Sequence, residues 1–267
     1  MQKTAPSTSS DRSGILTADG VLQLTCPRSW SEMTQEELRY ALHIIGCGMY
    51  SSVEGRTLML LRFTGIEVRG RISRGYACVK KVILPEGKRK KHVCFLHPWQ
   101  VQDMIRQLEF VDSYEAFDVR LESIGGFKAV DALLHGVRFW DYLNMEKYYQ
   151  GYLSTKEYKY ALGLAQLMYP GGVKAIDDAE MTNCVMWFSY VKQQFSRFFR
   201  HFFKPAPVGG GKSVNWVEQM NAQIRALTDG DITKEQAVYD KDCWRALTEL
   251  DAKAYDAEEF RKKYPNG

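Results

Sequence analysis

Between residues 66 and 96 the chain is patterned for strands, whereas on both sides of that stretch its apolar residues recur at spacings of three and four. A two-residue period suits a pleated strand and a 3.6-residue period suits a helix. The chain therefore reads as α+β, predominantly α-helical, with a small antiparallel β region near 66–96. Ile66, Val68, Gly70 and Ile72 share one parity, residues 76–84 are rich in β-formers, and His92 to Leu96 alternate. Pro85-Glu86-Gly87 is a turn signal. It predicts a hairpin of 76–84 with 92–96, with Lys88 to Lys91 at its base.

The flanking segments carry helix punctuation. Thr34-Gln35-Glu36-Glu37 is a capping box ahead of Leu38, Leu42 and Ile45, and Gly46 or Gly48 ends that helix. Further helices are predicted at 52–63, at 98–110 behind Pro98, and as an antiparallel pair at 139–152 and 155–168. Ala129 to Leu134 is a short apolar stretch, helix or loop. In Asn183 to Phe203 an aromatic stripe of Phe188, Phe195, Phe198 and Phe202 alternates with basic residues. That stripe suits a core helix, a helix docked in a partner groove, or one lying on a membrane surface.

The predicted organisation is a polar tail at 1–15, a mainly helical body at 16–204 that includes the basic β region 54–96, a linker at 205–213, and a C-terminal helical module at 214–267. In the module, Thr233 to Gln236 repeats the capping-box logic, and a last helix starts near Asp242. A composition of 45% hydrophobic and 25% charged residues is ordinary for a globular protein and excludes a disordered or collagen-like chain. No run of 18 apolar residues is present, so no membrane span is expected. The six scattered cysteines lack metal or disulfide spacing and point to a cytoplasmic location.

The net charge of +4 is a sum over unlike parts. Residues 54–92 hold eleven Lys and Arg against three Glu, a net +8, which leaves −4 for the remainder. Arg69, Arg71, Arg74, Lys80, Lys81, Lys88, Arg89, Lys90 and Lys91 are the candidate contacts to nucleic acid or to an acidic partner. The same lysines would also protect an edge strand. Trp216, Trp244, Phe195, Phe198 and Phe202 are candidate contacts to a protein partner.

Catalytic and cofactor chemistry is thinly represented. His92, Cys94 and His97 lack a fourth metal ligand, and Asp229 with Asp231 lacks the spacing of a calcium loop. Ala206 to Ser213 loosely resembles a phosphate-binding loop, but no strand precedes it. Paired carboxylates at Asp177-Asp178 sit in a polar connector. The expectation is a non-enzymatic protein without cofactors.

Ala226 to Phe260 resembles the end of small uncharacterised prophage proteins of Bacteroidota, Mu-like phages among them. Their pattern is a T-x-G-D-[IV]-T-K-[EN] turn followed by a W-x-A-L-T-E-L helix. It is matched by Thr228, Gly230, Asp231, Thr233, Lys234 and Glu235, and then by Trp244, Ala246, Leu247, Thr248, Glu249 and Leu250. Tyr148 to Leu153 and Ala161 to Tyr169 are similar to the preceding part of such proteins. The resemblance implies a structural or tail-assembly accessory protein acting through contacts with other phage or host proteins, in the bacterial host cytoplasm or on the virion. The charge distribution supplies the alternative, a nucleic-acid-binding accessory protein using residues 54–92.

Overall fold

The computed structural model describes residues 14–16, 22–84, 88–203 and 216–264. Residues 1–13 of the expected tail, the turn at 85–87, the linker at 205–213 and the loosely matched phosphate loop within it lie outside the described residues. The protein is α+β and predominantly helical. It divides into two compact units, residues 1–122 with 177–183, and residues 123–176 with 184–267. Residues 216–264, which the sequence sets apart as a module, belong to the second unit together with 123–176.

The first unit contains β1 (Gly14–Leu16), β2 (Leu22–Gln23), α1 (Gln35–Gly46), α2 (Ser52–Thr64), β3 (Ile66–Ile72), β4 (Gly75–Ile83), β5 (Arg89–Leu96) and α3 (Pro98–Arg106). Helix α1 opens on the expected capping box. The Thr34 hydroxyl accepts from the Glu37 amide at 3.2 Å, and the Glu37 carboxylate accepts from the Thr34 amide at 2.9 Å. Ser51 and Glu54 repeat the arrangement at the start of α2. Gly65, at φ 60°, then turns the chain directly into β3. Helix α3 ends at Arg106, short of the expected Phe110, and Glu109–Asp112 forms a 3₁₀ turn instead.

Strand β4 is central. It pairs antiparallel with β3 from Ile66↔Lys80 to Ile72↔Gly75, and with β5 from Tyr76↔Leu96 to Ile83↔Arg89. Strand β1 adds a short parallel pairing at Gly14↔Val82, and β2 pairs antiparallel with β1. These two short strands carry no alternating signal that the sequence pattern could show. The β5 strand begins three residues earlier than expected, so Arg89, Lys90 and Lys91 lie within the ladder and not at its base.

Trp30 anchors the core of this unit, edge-on to Phe110 at 5.6 Å and to Phe117 at 4.9 Å. The helix that starts at Asp178 contributes its first turn and a half here. Arg39 forms ion pairs with Asp177 at 2.6 Å and Glu180 at 2.9 Å, and the buried Asn183 side chain accepts from the Leu121 amide at 2.8 Å. A Cβ at Gly46 would lie 2.2 Å from Thr182 Oγ1 and 2.7 Å from the Asp178 carbonyl oxygen, so only glycine permits this approach.

The second unit contains the hairpin β6 (Ser123–Ile124) and β7 (Phe127–Lys128), then α4 (Phe139–Thr155), α5 (Tyr158–Met168), α6 (Asp178–Phe198) from residue 184 onward, α7 (Trp216–Thr228), α8 (Glu235–Tyr239) and α9 (Cys243–Lys263). Helices α4 and α5 form the expected antiparallel pair. A Cβ at Gly151 would meet the Tyr160 ring at 2.6 Å, and one at Gly163 would meet the Tyr148 ring at 2.7 Å, so each helix receives a tyrosine of the other over a glycine. Helix α6 starts five residues before the expected Asn183 and ends at Phe198. Its start is a capping box built on Asp177: Asp177 Oδ1 accepts from the Glu180 amide at 2.8 Å, and Glu180 Oε2 accepts from the Asp177 amide at 3.0 Å.

The stretch Ala129 to Leu134 is a loop. Leu134 has φ 63° although its side chain is fully buried. Successive carbonyls of this loop are held by side chains. Ala132 O accepts from Trp187 Nε1 at 2.8 Å, Leu133 O from Trp244 Nε1 at 2.6 Å, and Leu134 O from the Cys243 thiol at 3.2 Å. Asp242 caps α9 through the Trp244 amide at 2.9 Å, and its other oxygen accepts from the Gly136 amide at 2.7 Å. The expected cap at Thr233 is supplied instead by Asp231, whose carboxylate accepts from the Thr233 amide at 3.0 Å.

Two stability experiments follow from this packing. Gly46→Ala gains helix propensity of at most about 1 kcal/mol, but it forces a methyl group against backbone. A net loss of about 1–2 kcal/mol is expected in urea unfolding. Burial, reinforced by the Asp242 charge, pushes the Cys243 thiol from its ordinary 9.0 to about 12. The folded chain therefore keeps this proton where the unfolded chain releases it. The associated stability is complete below about pH 9 and declines toward pH 12, by up to about 1.4 kcal/mol per pH unit. Urea midpoints measured from pH 8 upward should fall more steeply for the wild type than for Cys243→Ala.

Candidate nucleic-acid interface

Because side chains alternate along a strand, the burial of Cys78, Lys80 and Val82 on one face of β4 turns Val79 and Lys81 to the other. The pairing register carries this choice into β5. Cys94 and His92 stand opposite Cys78 and Lys80, on the covered side, whereas Lys91 stands opposite Lys81 and Val93 opposite Val79. Arg89, Lys91, Val93 and Phe95 thus share the open face of the hairpin with Val79 and Lys81. Burial pushes the thiols of Cys78 and Cys94 upward. Among the described residues, no group of three His, Cys, Asp or Glu side chains could hold a metal ion.

Lys81 and Lys91 are directly opposed across the ladder. Like charges in that position repel, at a cost of a few tenths of a kcal/mol to about 1 kcal/mol. Among the described residues, no carboxylate lies within ion-pair distance of Lys81, Lys88, Lys90, Lys91, Arg71 or Arg74. The other basic residues of the segment are placed differently. Arg56 bridges to Glu109 at 3.4 Å and Asp112 at 3.7 Å, Arg62 lies over the Tyr40 ring, and Arg69 pairs with Glu67 at 2.6 Å. Lys80 is only 4% exposed and offers no surface charge. Of the nine candidate cations, those on β5 and at Lys81 form the compact group.

The open face ends in aromatic residues that the sequence reading passed over. Phe95 meets the His97 ring edge-on at 4.6 Å, and His97 lies nearly parallel to Trp99 at 6.1 Å with 14° between planes. Trp99, in the first turn of α3, is 60% exposed, and Val93 is 71% exposed. The available signal was the every-second-residue run Phe95, His97, Trp99, continuing the parity of β5 beyond its end. Pro98 marks a helix start, and that boundary hid the run.

The aromatic partner-contact candidates lie in the second unit and separate into two groups. Phe195 is fully buried and Trp244 packs on Phe195, Phe198 and Phe199 at 5.3–5.4 Å, so both belong to the core. Phe199 continues the buried face of Phe188, Val191 and Phe195, which leaves Phe198 53% exposed. Phe202 and Trp216 line a cleft of about 630 Å³ together with Tyr142, Glu146 and Lys192. The charges there pair through one carboxylate oxygen of Glu146, whose Oε2 is buried without a hydrogen-bond partner among the described residues. Lys192 pairs with Glu146, which also accepts from Gln150 at 2.8 Å, and burial drives the Tyr142 hydroxyl well above its ordinary range.

Among the described residues, no helix is long and apolar enough to cross a membrane. No family model, curated protein or solved structure matches the chain. The residues behind the prophage resemblance include Ala246, Leu247 and Leu250, all buried, and Trp244 in the aromatic cluster; they hold α9 in place.

The opposed lysines make a measurable trade. Lys91→Glu replaces repulsion with attraction to Lys81 and should raise unfolding stability by about 0.5–1 kcal/mol at low salt. The gain should shrink as salt is added, measured by urea unfolding at two ionic strengths.

Proposed function

We propose that this is a non-enzymatic accessory protein that binds nucleic acid through the open face of the β4–β5 hairpin. The observation that supports it best is the group Lys81, Arg89 and Lys91 on one exposed face, with the opposed Lys81–Lys91 pair at its centre. Keeping two cations adjacent costs stability, and a row of phosphates relieves that cost when it binds. Backbone contact of this kind gives affinity without sequence preference, since phosphates carry no base information. Lys88 and Lys90 extend the positive field along the same strand end. The resemblance of Ala226 to Phe260 to prophage accessory proteins suits a role for this binding in phage assembly, with protein contacts made elsewhere on the chain. That part of the proposal rests on the resemblance alone.

The test is fluorescence anisotropy of the full chain with a labelled oligonucleotide between about 50 and 200 mM salt. Affinity should fall linearly on a log–log plot. The triple variant Lys81→Ala, Arg89→Ala, Lys91→Ala should flatten the slope by about 0.7–0.9 for each lost phosphate contact. Absence of binding at the lowest salt, or an unchanged slope in the variant, would refute the assignment.

A further inference from the structure

The row of residues 89, 91, 93, 95, 97 and 99 changes character along its length, from Arg89 and Lys91 through Val93 to Phe95, His97 and Trp99. Cations at one end suit phosphates, but nothing in a duplex exterior matches three aromatic rings at the other. Paired bases bury their faces against one another, whereas an unpaired strand presents them. A basic track joined to exposed rings is the combination that holds single strands, with stacking that tolerates every base.

The geometry points to Trp99 as a base-stacking platform, making single-stranded nucleic acid the preferred ligand of this face. This rests on the nucleic-acid reading above and narrows it. Trp99 is held ready by its neighbours. Phe95 abuts His97 at 4.6 Å and His97 lies nearly parallel to Trp99, while the His97 amide donates to Gln100 Oε1 at 2.9 Å. A ring already oriented loses little freedom on binding, so stacking contributes more of its gross energy to affinity. With 60% of Trp99 open to solvent, a base reaches it without any rearrangement of the core. Val93 bridges the two ends as an apolar surface beneath the sugar or base of the intervening nucleotide.

The experiment compares three labelled polymers of equal length on the full chain at low salt: oligothymidylate, a duplex, and an abasic deoxyribose-phosphate strand. Wild type should bind oligothymidylate at least about tenfold more tightly than either of the others. Trp99→Ala should weaken oligothymidylate binding about 5- to 150-fold, the equivalent of one lost stack, while leaving the abasic strand unaffected. Trp99→Phe should recover part of the loss, and unchanged circular dichroism would show that both variants are folded. Equal affinity for all three polymers, or a Trp99→Ala loss shared equally among them, overturns the stacking role and leaves phosphate binding intact. Failure of all three to bind overturns both readings, and capture of an acidic polypeptide in their place assigns the face to protein.

Discussion

The burial of Cys78 and Val82 beneath β4 decides the direction of every side chain paired with that strand. A strand cannot turn its residues outward one at a time, because its period of two commits alternate positions together. Once those two small apolar groups are covered, Lys81 must face water. The antiparallel register then brings Lys91 beside it and Arg89 after it. A slip of one residue would bury Lys81 with Lys91 and expose Cys78, Val82 and the now buried Lys80. Lys80 already places one ammonium group on the covered side, and the slip would exchange it for two while uncovering Cys78 and Val82, so the loss of apolar burial and the added desolvation act together. The basic face therefore follows from the core, and the repulsion of like charges on it accompanies the register that covers Cys78 and Val82.

The second unit depends on a different device. Three consecutive carbonyls of the 131–138 loop point at side chains from α6 and α9, and Asp242 ties the Gly136 amide to the start of α9. A helix would have consumed those carbonyls internally. The buried αL conformation of Leu134 is the local strain that such an arrangement needs, and two indole donors with one thiol offset it.

Much of this was legible from local chemistry. The Thr34–Glu37 box, the α4–α5 pair, the hairpin and the start of α9 at Asp242 all rest on interactions between residues close in sequence. What escaped depends on partners far away or on signals that overlap. Asp177 looked like part of a polar connector, and only its reciprocal bonds with Glu180 show it to be the cap of α6. The stripe on α6 drifts, so Phe199 and not Phe198 continues the buried face beyond Phe195. Strands β1 and β2 are too short to display a period. At the candidate site the cations were visible as a charge excess, but their division between two faces needed the register. The run from Phe95 to Trp99 was cut by a proline that belongs to the next helix.

The same cations lie along an open sheet edge. Among the described residues, no strand pairs with the outer edge of β5, so its amides and carbonyls there lack a ladder partner. An edge this long, carrying Val93 and Phe95, is a template for another strand, and the field of Arg89, Lys90 and Lys91 repels an identical edge approaching it. A chain whose lysines are neutralised, by acetylation or by saturation with a polyanion, would lose this electrostatic guard against self-pairing along β5.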